Sequence, residues 1–355
     1  MKRLQLRRKQ IKKRGYCFFL IGFLVIVVFI AVSIFQANRN YEKNRRKVFS
    51  ISTVEETLAS EVHNNTEVKK VYLPEHGNIS YEVGGEGEVV VLLHCWAGAR
   101  QYWKYTIRDL LPLRKAEGER RKAEGKGIIP LTSDFPLPHY RVYALDLKGF
   151  GESNITKSGY QMMDFVDMLH DFFDALGIVK AVVVGHSMGG TIALLFTLDY
   201  PEYIAKLVLV ALPMSEREIG HKLIGAPVLG GLWYRVVRFL GARSLREPKA
   251  REIWLKPTVA SATQSMNSFV KANPLLRIHE IHCPVLLILG KNDPAAAYAR
   301  PTTDNTRHFD LKLAIIDAAR HAPHCENPAE FNKKLLAFLQ TAPSELIIVP
   351  KSMDK

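Results

Sequence analysis

The sequence predicts an α/β protein: a mostly parallel sheet with helices on both faces, a helical cap, and one transmembrane helix ahead of the sheet. Three observations carry this. Six continuous runs of branched apolar residues recur along the chain: EVVVLLH from Glu88, YRVYALD from Tyr140, KAVVVG from Lys180, AKLVLVA from Ala205, PVLLILG from Pro284 and LKLAIID from Leu311. Such runs fit strands buried on both faces. Between most of them lie stretches of helical character, such as MMDFVDMLHDFFDAL and MGGTIALLFTLDYPEYI, and alternating strands and helices imply a parallel sheet. The third observation is an uncharged run of helix length near the N-terminus.

That run, CFFLIGFLVIVVFIAVSIF from Cys17 to Phe35, is 19 residues long. At about 1.5 Å per residue it spans a hydrocarbon core of roughly 30 Å. The expected organisation is a basic segment over 1–15, an anchor over 16–36 and a polar linker over 37–68. A cleaved secretory signal is the alternative, since Ala31-Val32-Ser33 has the small-x-small form, but the apolar part of such signals is usually roughly 7–15 residues. Eight Lys/Arg precede the run and five follow it before residue 48. The excess before it favours a cytoplasmic N-terminus and a body on the far side, although the second cluster also suits anionic headgroups.

The charge balance narrows the function classes. The chain has 355 residues and a net charge of +14, of which residues 1–47 hold +12. The body is therefore close to neutral, and nucleic acid is not an expected partner. The four cysteines, Cys17, Cys95, Cys283 and Cys325, have neither CxxC nor metal-like spacing, so disulfide scaffolding and zinc are poor expectations. No phosphate-binding glycine loop or dinucleotide fingerprint appears, and no cofactor is expected.

The body is expected over 69–345. KKVYLP and ISYEV read as a short antiparallel pair ahead of the first buried run. Two interruptions follow. Over 114–127 the pentapeptide Arg-Lys-Ala-Glu-Gly occurs twice, a charged insertion with few core residues. Over 212–282 the chain is too long and too apolar for a loop between sheet elements, and a helical cap accounts for it.

VVVGHSMGGTIAL, Val182 to Leu194, places Ser187 between a buried strand and a helix, with Gly185 and Gly189 on either side. In an open parallel sheet, ligands bind beyond the carboxyl ends of the strands, and Ser187 stands there. A sharp strand-to-helix turn exposes its hydroxyl beside helix N–H groups that favour negative charge. Serine needs a base backed by a carboxylate. Asp293 stands just beyond PVLLILG, although it also suits a turn before Pro294. AARHAPHCENP, after the last run, offers His321 and His324.

From roughly Val71 to Leu339 the chain resembles the α/β-hydrolase superfamily, in its capped branch of esterases, lipases and C–C hydrolases. LLHCWAGARQYW, LDLKGFGES, GHSMGG, CPVLLILGKNDP and RHAPHCENP stand in the family order. The resemblance implies Ser187 as nucleophile, Asp293 as acid and His321 as base, since family members place Glu five and Pro seven residues after the base, as Glu326 and Pro328 stand here. His324 then takes a helper or packing place. The resemblance also implies two backbone donors for an oxyanion, the N–H groups of Met188 and Trp96. Cys95 and Arg320 depart from the pattern, standing where glycine is common. A Cys95 backbone unable to copy glycine would misplace the Trp96 amide.

Related dehalogenases and epoxide hydrolases use aspartate where this chain has Ser187. The serine implies hydrolysis of an ester, thioester or amide, or C–C cleavage of a diketone-like acid. The apolar cap and the expected anchor lean toward an apolar, lipid-derived small molecule. A membrane-anchored binding protein with little turnover is the alternative.

Overall fold

A computed structural model describes residues 65–111, 139–212, 230–245, 247–272, 274–293 and 311–341. The expected anchor over 16–36, most of the linker, and the charged insertion over 114–127 lie outside the described residues. Among the described residues no helix is long and apolar enough to cross a membrane.

Among the described residues the strands are β1 (Thr66–Leu73), β2 (Gly77–Gly85), β3 (Glu88–Leu93), β4 (Tyr140–Leu145), β5 (Ala181–His186), β6 (Ile204–Val210), β7 (Val285–Gly290) and β8 (Leu311–Ile316). They form one sheet in the order β1-β2-β4-β3-β5-β6-β7-β8. The β1–β2 and β2–β4 pairings are antiparallel; every pairing from β4 to β8 is parallel. β1 begins three residues inside the segment read as linker. Its residues are mostly exposed, on the edge of the sheet, and polar edge strands resist unwanted pairing.

The parallel strands read as unbroken apolar runs because each face has its own cover. Val91, Leu93, Val183, Leu207 and Leu209 pack with α2 (Met162–Leu176) and α3 (Met188–Asp199), through Phe165, Phe172, Phe173, Ile192 and Phe196. The alternate residues Val90, Leu92, Val182, Val184, Val208 and Val210 pack on the other face. There they meet Ile107 of α1 (Lys104–Leu110) and Phe331, Leu335 and Phe338 of α8 (Pro328–Leu339). The period-two alternation of strand side chains thus feeds two cores.

Between β6 and β7 stand helices α4 (Gly230–Ser244), α5 (Pro248–Leu255) and α6 (Val259–Lys271). Thr258 caps α6 by accepting from the Ser261 amide, and Ser261 accepts in turn from the Thr258 amide at 2.9 Å. A four-residue helix, α7 (Pro323–Glu326), precedes α8.

Candidate active site

Ser187 sits where β5 ends and α3 begins. Its backbone has φ 53° and ψ −113°, a region that costs a non-glycine residue about 1–3 kcal/mol and survives only when its surroundings enforce it. They do so here: the Ser187 amide donates to Val210 O at 2.8 Å, and Ser187 O accepts from the Thr191 amide at 3.1 Å. The flanking glycines are required by close approach. A Cβ on Gly185 would lie 2.3 Å from Gly189 O, and one on Gly189 would lie 2.6 Å from both Leu93 O and His94 O. The elbow is therefore packed against the end of β3, and no side chain fits at either position.

Asp293 and His321 reach this edge from two further strands. Asp293 closes a turn after β7, its amide donating to Gly290 O at 3.0 Å, and it is 5% exposed. His321 follows β8. A Cβ on Gly290 would lie 2.0 Å from Arg320 O, so only glycine lets the His321 loop cross the end of β7. The result is a continuous line. His321 Nδ1 is 3.0 Å from Asp293 Oδ2, and His321 Nε2 is 3.1 Å from Ser187 Oγ. With Nδ1–H donating to the carboxylate, Nε2 presents a lone pair to the serine hydroxyl. The three residues nominated from sequence meet.

His324 takes another place. It is fully buried and stacked on Trp103 at 4.2 Å between ring centres. Burial pushes its pKa down to about 3, so it is a neutral packing group. Glu326 accepts a hydrogen bond from the Arg320 amide, and this fastens the His321 loop. Arg320 has no left-handed backbone, so its side chain creates no backbone strain there.

The loop after β3 carries the second expected donor. Gly98 N donates to Cys95 O at 3.0 Å, closing a turn with Trp96 and Ala97 at its corners. The positive φ of this turn, 56°, belongs to Ala97; Cys95 has none. A glycine is therefore not demanded by the backbone at Cys95, whose thiol is pushed up to about 12 by burial. His94 anchors the turn from beneath. Its Nε2 accepts from the Leu147 amide at 2.9 Å, so Nδ1 carries the proton and donates to Cys95 O at 2.7 Å. Met188, the first residue of α3, has one of the helix N-terminal amides that lack intrahelical acceptors.

Two contacts were invisible in the sequence. His186, fully buried beside Ser187, donates through Nε2 to His321 O at 2.6 Å and so holds the His321 backbone. Burial, reinforced by the neighbouring His324 and His321, lowers its pKa well below the usual value, which keeps it neutral. The Trp96 side chain reaches α4, α5 and α6. Its indole N–H donates to Ala262 O of α6 at 3.2 Å, and its ring meets Tyr234 of α4 and Trp254 of α5 edge-on at 6.0 and 6.3 Å. Among the described residues no cluster of His, Cys, Asp and Glu has the makings of a metal site.

Comparison with known proteins agrees with this architecture. A family model described as the alpha/beta hydrolase fold matches residues 88–227. The human protein named epoxide hydrolase 4 is 41% identical over 277 residues, covering 63% of this chain and 74% of that protein. A 2-hydroxy-6-oxononadienedioate/2-hydroxy-6-oxononatrienedioate hydrolase of Comamonas testosteroni is 27% identical over 306 residues, covering 79% of this chain and 99% of its own length. Among solved structures, a bromoperoxidase from Bacillus anthracis superposes with a TM-score of 0.60 at 21% identity, over 78% of this chain and 100% of that one. The sheet order, the elbow and these similarities identify the chain as a member of the alpha/beta hydrolase fold family, an enzyme of hydrolase type.

Proposed function

We propose that this protein is a serine hydrolase of ester-type substrates working through an acyl-enzyme. The carrying observation is the line Ser187 Oγ–His321–Asp293, with spacings of 3.1 and 3.0 Å. Ser187 attacks the substrate carbonyl while His321 Nε2 takes the hydroxyl proton. Asp293 holds the Nδ1 tautomer and balances the imidazolium that forms. The Met188 and Trp96 amides supply the oxyanion donors, each worth about 100- to 1000-fold in rate. His321 then returns its proton to the leaving group, and water repeats the sequence on the acyl-serine.

The similarity to a protein named epoxide hydrolase 4 raises a second chemistry, which the elbow residue disfavours. A carboxylate opening an epoxide yields an ester that water can hydrolyse at its acyl carbon. A serine opening the same ring yields an ether with no such carbon, and the enzyme would be consumed. Ser187 therefore favours acyl transfer.

The substrate in this reading is an apolar small molecule. The aromatic contacts of Trp96 with Tyr234 and Trp254 support it, as does the proposed anchoring of the chain through residues 16–36. Full-length protein is expected to resist high salt and alkaline extraction from membranes, because apolar burial holds it. An activated-ester panel graded by acyl length tests the chemistry. Turnover that rises with chain length and disappears in Ser187→Ala supports the reading; turnover retained in that variant overturns it.

A further inference from the structure

Helix α4 has two unlike faces. On one, Tyr234 is 1% exposed and meets Trp96, and Gly241 lies against the Trp254 indole. The other carries Leu232, Val236, Phe239 and Leu240, spaced i, i+4, i+7 and i+8, which is a single stripe at helical periodicity. A core-facing helix buries such a stripe, yet these side chains are 52%, 37%, 58% and 44% exposed. Leu255, at the end of α5, is exposed as well.

Cations edge the stripe. Arg235 and Arg243 are exposed, and the Arg243 guanidinium lies 4.9 Å from the centre of the Phe239 ring. From residue 230 to 256 the chain holds seven Lys/Arg against two acids, Glu247 and Glu252, a net of +5. The remainder of the chain beyond residue 47 sums to −3, so the segment that holds α4 and α5 is basic in a body that is otherwise slightly acidic.

We infer that the outer face of α4 docks on an anionic phospholipid bilayer. Leu232, Val236, Phe239 and Leu240 enter the boundary between headgroups and acyl chains, and Arg235 and Arg243 meet the lipid phosphates. A basic helix with this exposed apolar face has the composition of an interfacial helix. Charge chooses between the candidate occupants. A second copy of the chain would match apolar to apolar but bring the same cations against one another, whereas an anionic leaflet satisfies both features. The apolar run Cys17–Phe35 does not constrain this arrangement: residues 36–65 separate it from β1, and 30 residues extend at most roughly 100 Å. The inference is independent of the chemistry at Ser187.

The test is hydrogen exchange on the full chain, reconstituted at one copy per lipid nanodisc, in phosphatidylcholine with and without phosphatidylserine. Amides of 230–244 are expected to exchange at least about tenfold more slowly on the phosphatidylserine discs, and high salt is expected to reverse the difference. The double variant Phe239→Asp/Leu240→Asp alters only exposed side chains and should lose the protection, while unchanged exchange in β5 and β6 reports an intact fold. Equal α4 exchange on the two discs overturns the inference. So does protection that survives in the double variant, or protection that appears only when discs hold two copies.

Discussion

Met188 and Trp96 carry the two donors proposed for one oxyanion, on segments that touch, yet they are held by different parts of the molecule. Met188 opens α3 at the end of β5. Its neighbour Ser187 is fixed by Val210 O and Thr191 N, and Gly189 is pressed onto the end of β3. Trp96 is tied from below by the His94–Cys95 contact and from above by α4, α5 and α6 through its indole. The proposed nucleophile and first donor are therefore set by the core, whereas the position of the second proposed donor is shared with α4, α5 and α6, the expected cap. Changes in the core should abolish chemistry, and changes in the cap should tune it.

The largest effects belong to the core side. Ser187→Ala, His321→Ala and Asp293→Asn are each expected to lower kcat on an activated ester by about 10⁴-fold or more, and the double variants by little beyond the worst single one, because the three residues act as a unit. His186→Ala should cost less, and His186→Gln should recover part of the loss, since the Gln side-chain amide can donate to His321 O. A pH–rate profile that moves in His186→Ala but returns in His186→Gln would mark His186 as a positioning residue. An equal loss in both would leave it a packing residue.

On the cap side, Trp96→Phe keeps a ring for Tyr234 and Trp254 but removes the bond to Ala262 O. It is expected to lower kcat about tenfold with a smaller change in KM, since an oxyanion donor acts mainly on the transition state. Unfolding should shift little. A change in KM alone would show that the indole serves substrate binding and leaves the donor amide in place.

The expected mostly parallel sheet with helices on both faces agrees with the structure because its signals were local, whereas the expected transmembrane helix lies outside the described residues. Each of the six buried runs became a parallel strand within one residue of its expected bounds, and MMDFVDMLHDFFDAL became α2 end to end. The insertion of β4 between β2 and β3 is a pairing across the chain that no periodicity reports. β1 was partly read as linker because an exposed edge strand lacks the apolar alternation that marks a half-buried one. At the site, Ser187 and Asp293 were legible because each follows a strand at the same edge, whereas the segment after the last run offered both His321 and His324 and only the family resemblance chose His321. His186 stood inside the quoted motif, but its partner, His321 O, lies 135 residues away. The Trp96 indole likewise meets its acceptor across 166 residues.

Stability offers a pH-dependent view of the core side. Burial lowers the pKa of His94, of His186 and of His324, the last to about 3. A histidine depressed in the folded state binds fewer protons there than when unfolded, so its contribution is complete above the unfolded value of roughly 6.5 and is lost as pH falls toward the folded value. The thermal unfolding midpoint should therefore drop as pH falls below about 6.5, with about 2 kcal/mol of the loss by pH 5 belonging to His324. His324→Phe keeps an aromatic ring beside Trp103 and is expected to flatten part of this acid slope. An unchanged slope would assign the loss to other groups.

The smallest expected effect is at Cys95. The positive φ of the turn falls on Ala97, so Cys95→Gly should leave kcat unchanged and lower stability by about 0.5–1 kcal/mol through backbone freedom. A tenfold rise in kcat, equivalent to about 1.4 kcal/mol of barrier, would show instead that the cysteine displaces the Trp96 amide.

The central claim is that Ser187, deprotonated by His321, is a nucleophile toward acyl-type electrophiles. Intact-mass measurement after exposure to a fluorophosphonate tests it directly. One adduct is expected on the wild-type chain, mapped by peptide fragmentation to Ser187, with none on Ser187→Ala and strongly slowed labelling on His321→Ala. Absence of an adduct on folded wild-type protein, or an adduct that persists in Ser187→Ala, would contradict the account.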